Sequence, residues 1–154
     1  MSATKVHENV KAQAPDLGKE FPRGPRQKLG GYVLAARALD KCRAELAKTQ
    51  GEYHYACPMD RMFLDFAGID PKDFKKAVAE GRNDEEMDRW IREHAKNGSK
   101  EEVIRWSNEL RDKRISDLDI ELQVYLEEYI EENVPEGRVV YHWFDVYDLE
   151  EGRL

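Results

Sequence analysis

Nine consecutive residues gather the groups of this 154-residue chain best suited to chemistry: Tyr53, His54, Tyr55, Ala56, Cys57, Pro58, Met59, Asp60 and Arg61. Pro58 suits the first turn of a helix, because its fixed torsion matches and its missing N–H has no partner there to lose. Cys57 then stands at a helix start, where unpaired amide groups and the helix dipole favour a thiolate, with His54 or Arg61 adding to the effect. On this reading Cys57 is a nucleophile or redox sensor, His54 is the nearest base, and Asp60 or Arg61 tunes the site. The competing reading makes Cys57 a small buried residue at a turn, with Asp60 or Arg61 neutralising local charge. That reading asks for less, since neither a general base nor a second, resolving cysteine is identifiable from residue order. His54, Cys57, Asp60 and Arg61 are therefore the candidate catalytic set, and both readings stay open.

His54, Cys57 and Asp60 also amount to three metal ligands, but a closed tetrahedral site needs a fourth, and their spacing matches no standard zinc arrangement. His94 and His142 would complete it only if the fold brought them close. Phosphate-cradling glycine loops, nucleophile elbows, paired-cysteine zinc sites and two-histidine metalloprotease helices are missing from the sequence. The Glu-x-x-His pairs of di-iron bundles are missing too. No cofactor and no metal are expected.

The elements that must position this cluster read as helix after helix. Val33, Leu34, Ala38, Leu39, Cys42 and Leu46 recur at spacings of three and four, which predicts a helix over 31–49. Glu52 to Ala56 reads as a short extended connector. Met59, Met62, Phe63 and Phe66 give the next helix, ending at Gly68. Asp70 and Pro71 start another carrying Phe74, Ala77 and Val78. Asn83 caps a helix with Met87, Trp90, Ile91 and His94 on one face, broken at Asn97 and Gly98. Ser99 and Glu102 form a capping-box pattern ahead of Val103, Trp106 and Leu110. Ser116 and Asp119 offer its acidic variant before Leu118, Leu122, Tyr125, Leu126 and Tyr129. Val139 to Leu149 is ambiguous, with strand-favouring residues at helical spacing, and a short helix is preferred. The three tryptophans, Trp90, Trp106 and Trp143, fall within apolar periods and read as core. The expected fold is all-α: one domain of about six short helices over 26–154, preceded by a flexible polar arm over 1–25 that Pro15, Gly18, Pro22, Gly24 and Pro25 interrupt.

Charge bounds the partners. Net charge is −7, yet residues 1–48 hold 10 Lys/Arg against 5 Asp/Glu and the remainder is strongly acidic. Overall acidity disfavours nucleic acid, although Lys19, Arg23, Arg26 and Lys28 could meet an anion locally. The simpler expectation is that the basic front packs against the acidic back. Glu127, Glu128, Glu131 and Glu132 could dock a basic partner or form a solvated helix face, and the latter is preferred. The longest uncharged stretch is far shorter than the roughly 20 residues of a membrane span. The first ten residues lack a secretory apolar segment. Two cysteines without a signal segment suggest a reducing, cytoplasmic setting.

Gly51, Glu52 and Tyr53 through Cys57, Pro58, Met59 and Asp60, then Phe63 through Asp70, resemble a bacterial family of unknown function, the domain-of-unknown-function family fifty-sixty-nine. Trp143, Phe144 and Asp145 with Glu150, Glu151, Gly152 and Arg153 are similar to it as well. The resemblance covers most of the chain after the arm and implies a helical cytosolic protein, with no activity to carry onto Cys57, Asp60 or Trp143. The function expected is a non-catalytic protein-binding or regulatory helical module, engaging another protein or a second copy of the chain. The alternative is a small thiol-dependent enzyme or redox sensor using Cys57.

Overall fold

The computed structural model describes residues 5–96 and 98–154. Eight α-helices follow one another among these residues: α1 (Glu8–Gln13), α2 (Ala35–Ala47), α3 (Pro58–Ala67), α4 (Pro71–Ala79), α5 (Asp84–His94), α6 (Lys100–Asp112), α7 (Ile120–Asn133) and α8 (Trp143–Glu150). A 3-10 turn, Ile115–Asp117, precedes α7. The only β pairings among the described residues are isolated bridges, Leu29 with Tyr32 and Arg114 with His142. The chain is all-α, as the three- and four-residue apolar spacing predicts.

The helix α2 is the axis of the core. Its residues Ala35 to Ala44 are all buried, and α1, α3 and α4 pack around it. Small Ala35, Ala36, Ala38 and Ala44 let those neighbours approach, while Leu39 and Cys42 fill the space between with Phe63, Leu64 and Phe74. Its predicted start at residue 31 moves to Ala35, because a tight turn intervenes. Gly30 and Gly31 take positive φ, and Leu29 and Tyr32 exchange backbone bonds across them. A Cβ on Gly30 would lie 2.7 Å from Ile91 Cγ2 on α5, so close approach as well as torsion requires glycine there.

Predicted side-chain caps form at three helix starts, those of α4, α5 and α6. The Asp70 side chain accepts from the Lys72 amide, Pro71 opens α4, and Asn83 with Glu86 completes a reciprocal capping box on α5. Ser99 accepts from the Glu102 amide. The box expected from Ser116 does not form. Ser116 lies inside the 3-10 turn, α7 starts four residues later, and Asp117 instead accepts from the Arg114 amide. Residues 139–149 divide: α8 begins only at Trp143, and the preceding residues lie extended, with Tyr141 accepting from the Ile115 amide. The predicted end of α5 at Asn97 lies outside the described residues.

Of the arm expected over 1–25, residues 1–4 lie outside the described residues, and residues 5–25 are held against the body. His7 caps α1 by accepting from the Asn9 amide. Val10 and Leu17 are buried, and the Leu17 amide donates to Thr49 O at 2.8 Å. Two apolar anchors seven residues apart, among prolines and glycines, carry no periodic signal, which is why the sequence reads as loose there.

Candidate functional site

The Cys57 cluster borders a cavity of about 640 Å³ between α3, α7 and α8. Cys57, Met59 and Met62 line it from α3, Leu118, Leu122 and Tyr125 from α7 and its approach, and Trp143 and Tyr147 from α8. Cys57 is the N-cap residue of α3, half-buried and a free thiol. The polar group at its sulfur is one that sequence reasoning missed: Lys41 Nζ on α2, 3.1 Å from Sγ. Lys41 also pairs with Asp60 Oδ2 at 2.9 Å, and both side chains are buried. Buried charges need a counter-charge, and here each provides the other's.

The four predicted residues thus have different fates. Cys57 and Asp60 are brought together through Lys41. Asp60 also accepts the Ala56 amide at 3.0 Å, and Arg61 Nε donates to Ala56 O at 3.0 Å. Between them they clamp Ala56, a non-glycine residue at φ 61°. Such torsions cost roughly 1–3 kcal/mol and persist only where the surroundings enforce them. Arg61 therefore fixes the connector and does not face the thiol. His54 is exposed, and among the described residues its ring makes no hydrogen bond with Cys57. One oxygen of the carboxylate, Asp60 Oδ1, is buried without a partner. Lys41 carried a weak signal: it neighbours the buried stripe of α2, where lysine is rarely enclosed unless paired.

Among the described residues, no three His, Cys, Asp or Glu side chains are grouped to hold a metal. His94 stacks on Trp90 at 4.3 Å, and its Nδ1 lies 2.8 Å from Trp90 O. His142 faces Asp145 across 3.5 Å. Burial pushes the Tyr147 hydroxyl at the cavity wall up to about 12.

The outer wall of the cavity is chemically distinct. On α7 only Leu126 is fully buried, while Ile120, Val124 and Tyr125 are exposed. Ile120 and Val124 lie one turn apart on the same face. Asp117, Asp119, Glu121, Glu127, Glu128, Glu131 and Glu132 surround this row, and no Lys or Arg occurs between Arg114 and Arg138. The four arginines of the front half are occupied elsewhere. Arg23 pairs with Asp40 and Asp84, Arg26 with Asp145 and Asp148, Arg37 with Glu151, and Arg43 with Asp84. The basic front does pack on the acidic back, and two of the four cations weighed for anion binding, Arg23 and Arg26, are already paired.

These features define a helical domain with a cavity beside one thiol and an acidic, apolar outer helix. The chain belongs to a family described as a domain of unknown function (DUF5069), whose sequence model matches residues 19–153. No curated protein matches it. None of the helices among the described residues is long and apolar enough to cross a membrane.

Proposed function

We propose that this protein is a non-catalytic binding module that docks a basic, amphipathic segment of another protein on α7, with an apolar anchor of that segment entering the adjoining cavity. One observation carries this reading: Ile120, Val124 and Tyr125 are each more than half exposed, on a helix whose own charges are all acidic. Apolar rows left in water mark interaction surfaces, and a helix face beside a groove is a recurrent way to bind one. Charge chooses the partner. A second copy docking through the same face would bring two acidic rims together, whereas lysines and arginines flanking an apolar anchor complement the rim. The exposure of His54, the base nearest Cys57 in sequence, supports binding over thiol catalysis. Two free cysteines and no opposed thiol pair support a reducing, cytoplasmic setting.

The test is calorimetric titration with a synthetic amphipathic lysine–leucine peptide, against the same peptide with glutamines for leucines. Saturable one-to-one binding of the first alone, abolished by Val124→Glu and Tyr125→Glu, is expected. Equal binding of both peptides, binding indifferent to the two substitutions, or a stable dimer through α7 in light scattering overturns the reading.

A further inference from the structure

We infer that Lys41 and Cys57 form a peroxide-triggered covalent switch, in which oxidised Cys57 is captured by the Lys41 amine as a sulfenamide that ties α2 to the start of α3. The reacting groups are Cys57, Lys41 and Asp60, none of them on α7, although the cavity that gives access to Cys57 is the one the docking reading fills.

Three observations carry it. The first is proximity. Lys41 Nζ already lies 3.1 Å from Cys57 Sγ, and the lysine side chain is only 5% exposed, enclosed beside the sulfur. The second is access: Cys57 lines the cavity of about 640 Å³, which admits a small hydroperoxide. The other thiol, Cys42, is enclosed in the core, where burial pushes its pKa far up and keeps it inert. The third is Asp60. It is wholly buried; its Oδ2 touches Lys41, and its Oδ1 has no partner. An ammonium cannot attack sulfur, so Lys41 must first give up a proton. Asp60 is in direct contact to receive it, and once protonated it leaves no unpaired charge in the interior.

The atoms balance in two steps. The Cys57 sulfur attacks the outer oxygen of a hydroperoxide; the O–O bond breaks, an S–O bond forms, and water or an alcohol leaves, giving a sulfenic acid. The neutral Lys41 amine then attacks that sulfur. The N–S bond forms, the S–O bond breaks, and the departing hydroxide takes one amine proton as water. Sulfur has lost two electrons to the peroxide, and the protein has lost two hydrogen atoms. A thiol reductant restores both side chains.

The experiment treats the full-length protein with hydrogen peroxide, then denatures and digests it without reductant for peptide mass mapping. A cross-linked peptide pair joining positions 41 and 57, two hydrogens lighter than its parts and released by dithiothreitol, is expected. Cys57→Ser should lose the cross-link entirely. Lys41→Arg retains the positive charge and should instead stop at a sulfenic acid trapped by dimedone. Should that variant fail to fold, the wild-type map alone decides the matter. A dimedone adduct at wild-type Cys57 without the cross-link, a disulfide between Cys42 and Cys57, or an unmodified Cys57 overturns the inference.

Discussion

The helices α2 and α7 have almost the same length, 13 and 14 residues, and invert each other's placement of polar and apolar groups. In α2, charged residues are inside: Arg37, Asp40, Lys41 and Arg43 are all buried. In α7, apolar residues are outside. The difference lies in partnership. Every buried charge of α2 meets an opposite one: Arg37 meets Glu151, Asp40 meets Arg23, Lys41 meets Asp60 and Arg43 meets Asp84. Arg37 also lies against the rings of Tyr53 and Tyr147, and Tyr53 donates to Glu151 at 2.7 Å. These bonds fasten the C-terminal turn and the Tyr53 connector to the core. The exposed row of α7 has no such cover. An unusual residue that is satisfied belongs to the architecture, and one left unsatisfied is available to a partner.

The contrast can be broken hardest at Arg37. Arg37→Met removes the buried cation that faces both Glu151 oxygens, leaving the carboxylate to Tyr53 and the partly exposed Arg153, and should cost about 3 kcal/mol, measured by urea denaturation. A loss under one kcal/mol would mean that the C-terminal turn is not fastened in solution. Gly30→Ala, just before α2, places a Cβ 2.7 Å from Ile91 at φ 63° and should cost roughly 1–3 kcal/mol in the same assay.

Acid should act at the same place as Arg37→Met, more gently. Burial on its own would raise the Glu151 carboxyl, but hydrogen bonds and charge from Arg37, with bonds from Tyr53 and Arg153, outweigh it and hold the carboxyl below its ordinary 4.5. A carboxylate with a lowered pKa in the folded state contributes stability that is complete above its unfolded value and is lost as pH falls through the folded one. Melting temperature should therefore decline below about pH 4.5, and Glu151→Gln should flatten part of that decline. The smallest effect belongs to α7. Val124→Glu should change stability by no more than about 0.5 kcal/mol, because the side chain is already in water. A large loss would show that the row is structural.

Much of the fold was legible because punctuation and period agree. Asp70 with Pro71, and Asn83 with its acidic first turn, mark helix starts that exist as read, and Gly68 closes α3 with a positive φ. The start of α2 was harder. A left-handed Leu34 precedes it, a conformation that leucine does not advertise. The anchoring of residues 5–25 rests on scattered apolar contacts, bonds to distant carbonyls and the pairing of Arg23 with Asp40 and Asp84, none of which leaves a local pattern. At the site, Cys57 and Asp60 were legible as neighbours on one helix start. Lys41 was not, because its meeting with Cys57 depends on how two helices pack, which spacing within either one cannot encode. His54 illustrates the reverse error: proximity in sequence to Cys57 did not become contact, since the turn at Ala56 separates them.

Amide-resolved NMR titration of the isotopically labelled protein with the lysine–leucine peptide tests the central contrast most directly. Shift changes concentrated on Ile120, Val124, Tyr125 and the cavity rim at Leu118 and Leu122, with the buried amides of α2 unmoved, are predicted. Perturbations spread evenly over the acidic surface, or centred on α2, would contradict it.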